Sequence, residues 1–136
     1  MEPGLIVLRP FLVDTDVLID YLRGFPAAIR FVTAHSDRII VSAMSVAELY
    51  AGVRGGAQEE ECQALSNFLS LFPVVPVSAD IAKSGGLYRR EYGGSHGVGL
   101  ADAVIAATAV ASDAVLKTLN IRHFPMFERL DPAYRK

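Results

Sequence analysis

The stretch LIVLRPFLV at residues 5–13, followed directly by Asp14-Thr15-Asp16, decides how the rest of the chain is interpreted. A run that is almost entirely apolar predicts a strand buried on both faces, although Pro10 limits where regular pairing can begin. The acidic residues that follow offer capping side chains to a helix at residues 17–22. The pattern therefore predicts a strand-to-helix unit with an acidic residue at the end of the strand.

The rest of the chain continues this alternation of strands and helices. Further strands are predicted at residues 39–42, 74–77 and 114–118, with a last edge strand at 126–130. Helices are predicted at residues 26–34, 59–71, 79–92 and 100–111, and Ser45 is expected to cap another, with Glu48 completing a capping box. Four glycines within residues 93–99 predict a loop. This order is typical of an α/β fold in three layers, with a mostly parallel central sheet flanked by helices, and we expect a single domain over residues 1–136.

Length and composition fit one compact, folded domain. Hydrophobic residues make up 51% of the 136 residues and charged residues 21%, which excludes a disordered chain. The net charge is −2 at pH 7, so a surface that binds nucleic acid would have to be a local basic region. The single cysteine, Cys62, excludes an internal disulfide framework and a cysteine-rich zinc site. Residues 5–13 are not followed by a small-residue cleavage site, and no apolar run is long enough to span a bilayer, so we expect a cytoplasmic protein with no membrane partner.

Three carboxylates are embedded in apolar sequence: Asp14 after the first strand, Glu48 in Ser-Val-Ala-Glu-Leu, and Asp102 in Gly-Leu-Ala-Asp-Ala-Val-Ile. Each has an ordinary explanation by itself, as a helix cap, a capping-box residue or a charge that complements a helix dipole. Burial disfavours an unpaired carboxylate, however, and three from separate segments suggest one shared partner. A divalent cation held by oxygen ligands fits that role and predicts metal-assisted hydrolysis of a phosphodiester.

Four motifs occur in order along the chain: LVDTDVLI at residues 12–19, SVAELYAGV at 45–53, GLADAVIAATA at 99–109 and LKTLNIRHF at 116–124. In these motifs the chain resembles the PIN-domain nucleases, and within them the VapC-type toxins of bacterial and archaeal toxin–antitoxin pairs. The resemblance covers about residues 10–130. One such motif is a weak signal, but four at the expected separations are a strong one.

The resemblance implies an endoribonuclease that depends on Mg²⁺ or Mn²⁺. Its catalytic acids and metal ligands would be Asp14, Glu48 and Asp102. Thr118 matches the hydroxyl position of the closing motif, and Asn120 occupies the position where the family often has a fourth acid; both would orient the attacking water or a second ion. The overall fold would be a single three-layer PIN-like domain.

The resemblance also implies three partners. The first is an RNA substrate. The second is a VapB-type antitoxin that reaches into the acidic cleft with a basic side chain and lies in a groove between the helices at about residues 17–22 and 45–53. The third is a second copy of the chain, with the apolar helix face at residues 65–72 as the expected contact of a homodimer.

The chain departs from the family pattern at Asn120, because many members carry a fourth acid there. Asparagine can still bind a cation or orient a water, but it adds no negative charge. The nearby Asp16 could supply that charge, although a helix-capping role is favoured for it.

Three other functions remain open on the sequence alone. A PIN-like fold that binds RNA or a partner without cutting is favoured slightly by Asn120 and disfavoured by the three acids. A DNA-directed nuclease is not excluded by any residue. A receiver-type phosphoacceptor domain needs a lysine beyond a strand end, whereas Lys117 is predicted inside a strand. His123, next to the closing motif, is expected to pack at a helix end.

Overall fold

The structure is a computed structural model in which residues 8–54 and 57–136 are described. Within those residues, four short strands alternate with six helices. In chain order these are β1 (Phe11–Val13), α1 (Thr15–Leu22), α2 (Pro26–Ala34), β2 (Ile39–Ser42), α3 (Ala43–Ala51), α4 (Gln58–Leu69), β3 (Val74–Val75), α5 (Ala79–His96), α6 (Leu100–Ala111) and β4 (Val115–Lys117), followed by a 3₁₀ turn at Ile121–His123. Helices α2 and α6 and strand β2 begin and end where the sequence predicts.

The four strands form one parallel sheet in the spatial order β3-β2-β1-β4. Strand β1 lies in its interior, because Phe11 pairs with Ile39 of β2 on one side and with Val115 of β4 on the other. The backbone N–H of Asp14 donates to the carbonyl of Lys117 at 2.9 Å, just past the end of β1. Parallel pairing therefore brings the residues that follow β1 and β4 to the same edge of the sheet.

The sheet lies between two layers of helices, which confirms the three-layer α/β expectation. On one face, Phe11 and Val13 of β1 pack with buried side chains of α1, α2 and α4. On the other face, Leu12 and Leu116 pack with Ile105 and neighbouring alanines of α6. Because successive strand residues face opposite sides, β1 is buried on both faces and its all-apolar sequence is explained.

The strands are shorter than the sequence predicts. Strand β1 begins at Phe11, so residues 8–10 of the predicted strand lie outside it, and residues 5–7 lie outside the described residues. Pro10 has no N–H to donate to a neighbouring strand, and the first strand donor is the N–H of Phe11, bonded to the carbonyl of Arg38 at 2.8 Å. Strand β3 ends at Val75 because Pro76 follows, and β4 loses one residue at each end.

The prediction that Ser45 caps a helix is wrong. Helix α3 begins three residues earlier, where the hydroxyl of Ser42 accepts a bond from the N–H of Met44 at 3.0 Å. Ser42 ends β2 and caps α3 without an intervening loop, so the strand and helix signals overlap in the sequence. Ser45 is fully buried inside the first turn of α3. Glu48 is consequently too far along the helix for a capping box, and that explanation of its carboxylate is removed.

The predicted loop at residues 93–99 is also wrong over most of its length. Helix α5 continues through Gly93 and Gly94 to His96 and ends at Gly97, which adopts a left-handed φ of 63°. Helix α5 packs closely along α6, and a Cβ added to Gly85 would come within 2.8 Å of Val104 Cγ2. Helix α5 packs on α6 at Ile81 and Gly85, and lengthening an existing helix needs no new nucleation, so its last turn is helical despite the low helix propensity of the glycines.

Residues 126–130 form turns and bends, so the predicted last edge strand is absent there. Their apolar side chains contribute in another way, because Met126, Phe127 and Leu130 pack against the core beside α6. The apolar pattern at residues 126–130 thus indicated burial, but these residues are not part of a strand.

The apolar face at residues 65–72 is not a free surface for a dimer. Leu65, Phe68, Leu69 and Phe72 are each at most 7% exposed and pack into the core against α1 and β1. The homodimer contact expected there is therefore wrong, since the domain itself covers these side chains. No helix in the described ranges has the length and apolar content needed to cross a membrane.

Candidate active site

Asp14 stands where β1 ends and α1 begins. Its extended backbone (φ −69°, ψ 157°) makes it the N-cap of α1, and its Oδ1 accepts a hydrogen bond from the N–H of Thr15 at 2.8 Å. Its Oδ2 accepts a bond from the hydroxyl of Thr118 at 2.7 Å. The side chain is buried, and each carboxylate oxygen has a donor. Two residues predicted for the site, Asp14 and Thr118, are thus in direct contact through the pairing of β1 with β4.

Asp16 joins the same cluster from the first turn of α1. Its Oδ1 accepts a bond from the N–H of Val17 at 2.7 Å, but the N-cap of α1 is Asp14, so the helix-capping role favoured for Asp16 from sequence is wrong. Its Oδ2 accepts a bond from the N–H of Leu119 at 2.9 Å and lies 3.3 Å from Thr118 Oγ1. Asp16 therefore adds a second carboxylate beside Asp14 and holds the loop after β4.

Asn120 contributes through its backbone. Its N–H donates to Thr118 Oγ1 at 3.0 Å, and the residue itself is exposed. Because that N–H occupies an acceptor site on the threonine oxygen, the hydroxyl proton is directed towards the carboxylates of Asp14 and Asp16.

Glu48 reaches the cluster through Thr15. The Thr15 hydroxyl donates to Glu48 Oε1 at 2.7 Å and lies 2.9 Å from Ser45 Oγ. Thr15 and Ser45 are both buried, whereas Glu48 is exposed at the cleft. Helix α3 therefore presents Glu48 towards the start of α1, where it contacts Thr15. Asp14 and Asp16 are the neighbours of Thr15 in the sequence.

Asp102 lies in the first turn of α6 and is half-buried. Its Oδ2 is 3.4 Å from His123 Nδ1, in the 3₁₀ turn that follows β4. The sequence predicted only helix-end packing for His123, and the contact with Asp102 corrects that interpretation. Gly99 caps α6 with no side-chain bond, so Asp102 is also placed where a negative charge complements the helix dipole.

The acids raise one another's pKa values. Burial, followed by the charge of Asp16, raises the pKa of Asp14 to about 7, although bonds from Thr118 and Thr15 oppose this. Burial also raises the pKa of Asp16. Burial raises the pKa of Asp102 as well, with His123 opposing and the charges of Glu48 and Asp16 adding to the increase. The charges of Asp16 and Asp102 act on Asp14, and those of Glu48 and Asp16 act on Asp102, so the four acids lie in one electrostatic cluster.

In donor chemistry this cluster fits Mg²⁺ or Mn²⁺, because carboxylate oxygens are the ligands that both ions accept. A ready-made ligand set is not present: no three His, Cys, Asp or Glu side chains in residues 8–54 and 57–136 lie close enough together to hold an ion as they stand. Glu48 and Asp102 are instead turned to Thr15 and His123. The assignment of Asp14, Glu48 and Asp102 as metal ligands stays a prediction, and it requires these side chains to exchange partners.

A family model for the PIN domain matches residues 11–130, which include all five residues predicted for the site. The chain belongs to the PIN-domain family. Its match covers the four motifs and every described strand and helix, so the fold is that of the family.

Similar proteins and structures come from toxin–antitoxin systems. The chain is 43% identical over 127 residues to Ribonuclease VapC19 of Mycobacterium tuberculosis, a match that covers 90% of this chain and 98% of the relative. A toxin–antitoxin complex from Klebsiella pneumoniae matches with a TM-score of 0.76 and 28% identity, covering 92% of this chain and 98% of that one. The VapBC2 complex of Rickettsia felis, bound to a promoter DNA fragment, matches with a TM-score of 0.73 and 25% identity over 87% of this chain and 92% of that one.

A groove of about 360 Å³ lies beside the PIN-domain acids. We call it the α1–α3–α4 groove. Its lining includes apolar side chains of the three helices (Ile19, Leu49 and Leu65), Val53 just after α3, and the charged residues Arg23, Glu48 and Glu61. The antitoxin groove predicted between the helices at 17–22 and 45–53 thus corresponds to a real depression, with α4 as its third wall.

The sequence did not assign Thr15, Ser45 or His123 to the site. Thr15 lies between two candidate acids, and its position on the first helical turn was a signal that its hydroxyl could bridge elements. His123 lies three residues after Asn120 in the closing motif, but its contact with Asp102 depends on how α6 and the 3₁₀ turn pack. Such contacts between distant segments leave no local pattern.

Proposed function

We propose that this chain is a metal-dependent endoribonuclease and the toxin of a VapBC-type toxin–antitoxin pair. Two findings support the proposal: the 43% identity to a relative named as a ribonuclease, and the cluster of acids at the carboxyl edge of the sheet. The cytoplasm, where RNA is the available substrate, is the location proposed for it.

Mg²⁺ or Mn²⁺ would be held by Asp14, Glu48 and Asp102, with Asp16 adding charge beside them. A bound divalent cation lowers the pKa of a coordinated water and polarises a phosphate oxygen. Hydrogen bonds within the chain hold these carboxylates in place: Thr118 donates to Asp14, and Thr15 donates to Glu48. Asn120, through its N–H, sets the direction in which the Thr118 hydroxyl points.

The observation that carries the proposal is the buried carboxylate of Asp14, whose pKa is raised to about 7 by burial and by Asp16. A fold gains no stability from holding such acids together without compensation. A cation is the partner that relieves this cost and also supplies the chemistry of phosphodiester hydrolysis.

The test is cleavage of total RNA by purified protein with Mg²⁺, with Mn²⁺ and with EDTA. We expect cleavage with either metal, none with EDTA, and a loss of at least about a hundredfold in Asp14→Asn, because a charged ligand is removed. Asp37→Asn is the matched control, since Asp37 is exposed and outside the cluster. Equal cleavage by Asp14→Asn and wild type would refute the site.

A second candidate function is a binding module that holds RNA without cutting it. Two observations favour it: the missing fourth acid at Asn120, and the absence of three preassembled ligands in the described residues. The same experiment separates the two functions, because a binding module would retain RNA on a filter with every metal and release no cleavage products.

The proposed protein partner is a VapB-type antitoxin. The α1–α3–α4 groove suits the apolar face of an amphipathic helix, and Glu48 at its end offers a charge-assisted bond to a basic side chain of the partner. A homodimer also remains part of the proposal, at a surface other than the buried 65–72 face. RNA is the proposed substrate, and no membrane partner is proposed.

A further inference from the structure

One buried carboxylate of α1 is held by a segment from the far end of the sequence. Asp20 is 7% exposed, yet its Oδ2 accepts a bond from the Tyr134 hydroxyl at 2.7 Å, and Lys136 Nζ lies 3.1 Å from its Oδ1. Burial acts to raise the pKa of Asp20, but the bonds from Tyr134 and Lys136 leave that pKa below its usual value. The carboxylate is therefore charged and paired, which is the condition under which a buried acid stabilises a contact.

The same segment packs on α2. The ring of Tyr134 lies 5.9 Å from that of Phe25 and 6.3 Å from that of Phe31, measured between centroids. Lys136 Nζ lies 5.2 Å from the Phe25 ring centroid. Residues 133–136 are thus attached to both α1 and α2.

A third attachment leads to the acidic cluster. The N–H of Ala133 donates to the carbonyl of Thr118 at 3.1 Å. Thr118 is the residue whose hydroxyl holds Asp14, and the next residue, Leu119, holds Asp16 through its N–H. The loop after β4 is therefore bonded to the acids on one side and to residue 133 on the other.

We infer that residues 133–136 form a strap that positions the loop after β4 against α1, with Tyr134 as a positioning residue that acts through Asp20. As a contribution to catalysis, the inference rests on the proposed function. Asp16 and Asp20 are one helical turn apart on α1. The strap therefore binds α1 one turn after Asp16, the acid that accepts the bond from Leu119. The strap thereby holds the start of α1 and the loop after β4 together beside the acids.

The first test needs no RNA and no metal. Tyr134→Phe keeps the ring and removes the hydroxyl, and amide hydrogen exchange is measured residue by residue by NMR. We expect the amides of Leu119 and Asn120 to exchange at least about tenfold faster, as in a local opening, while those of Val41 and Val115 in the sheet keep their rates.

Tyr92→Phe is the matched control, because it removes the hydroxyl of a tyrosine on α5, a helix that packs on α6 and not on the strap. It should change none of these rates. Unchanged rates for Leu119 and Asn120 in Tyr134→Phe would overturn the inference. An equal increase at all four amides would also overturn it, because it would mark general destabilisation.

The second test is the initial rate of total-RNA cleavage. We expect a decrease of about tenfold in Tyr134→Phe and none in Tyr92→Phe, since small displacements of reacting groups reduce rates strongly. Faster exchange with an unchanged cleavage rate would refute the positioning role. If wild-type protein cuts no RNA, the proposed function fails, and the exchange experiment still decides whether the strap orders the loop.

Discussion

At the residue scale, the acidic cluster makes stability depend on pH through Asp14. The pKa of its carboxyl is about 7 in the folded protein, compared with 3.8 for an ordinary aspartate. The folded protein thus binds this proton more tightly than the unfolded chain does. The associated stability is fully present below the unfolded pKa and is lost as the pH rises through the folded pKa.

We therefore expect the metal-free protein to lose stability between about pH 4 and pH 7 relative to Asp14→Asn, which cannot titrate there. The measurement is the free energy of unfolding by urea in EDTA, taken as the difference between the two proteins so that other groups cancel. Adding Mg²⁺ at the higher pH should stabilise wild type more than the variant, because the cation binds the folded state. If the difference in free energy of unfolding between wild type and Asp14→Asn were constant across this pH range, Asp14 would have an ordinary pKa.

At the element scale, the contact of α5 with α6 depends on a glycine. A methyl group at Gly85 would meet Val104 Cγ2 at 2.8 Å and Val104 Cα at 3.0 Å, and the backbone atom cannot give way. We expect Gly85→Ala to lower the free energy of unfolding by about 1–3 kcal/mol, the usual cost of overpacking. Thermal and urea unfolding measure this change in the free energy of unfolding.

The neighbouring Gly86 provides the control, because a methyl group there meets no atom within 4 Å. Gly86→Ala should raise the free energy of unfolding by about 0.5–1 kcal/mol, since alanine favours a helix interior. Similar effects of the two substitutions would contradict the close packing of the two helices.

The elements predicted correctly are those with local signals at both ends. Pro26 opens α2, and the apolar run of α6 begins after Gly99, so both helices have the predicted bounds. The start of α3 and the end of α5 were mispredicted for different physical reasons. Ser42 serves as strand residue and cap together, and Gly93 and Gly94 extend a helix that is already packed on α6 at Gly85. Local propensity cannot foresee either effect.

At the scale of the whole molecule, the α1–α3–α4 groove predicts how a partner can be removed without unfolding the domain. Ala64 is exposed and lines the groove. We expect Ala64→Glu to abolish co-purification with a co-expressed VapB-type antitoxin, because a charge would be buried against an apolar helix. Thermal stability of the toxin alone should be unchanged.

Ala82→Glu is the corresponding control, because Ala82 is exposed on α5 and outside the groove. It should leave co-purification intact. Retention of the partner by Ala64→Glu would exclude the groove as the binding surface.

The position of the site could be inferred from sequence, but the contacts among its residues could not. Asp14 follows an all-apolar strand, and that placement alone locates it at the functional edge of a parallel sheet. The bond between Asp16 and Leu119 joins residues 103 apart, and the contact between His123 and Asp102 depends on tertiary packing. The sequence also gave no sign that the face at 65–72 would be covered by the domain itself, because apolar helix faces look the same in cores and interfaces.

The pairing of β1 with β4 has a consequence for synthesis. Asp14 and Thr118 are 104 residues apart, so a ribosome has to deliver most of the chain before they can meet. Long-range contacts of this kind form late, after the loop between them has closed. A nascent chain with the proposed activity would carry Asp14, Asp16 and Glu48 long before Asp102 and Thr118, so the acidic cluster would be complete only near the end of synthesis.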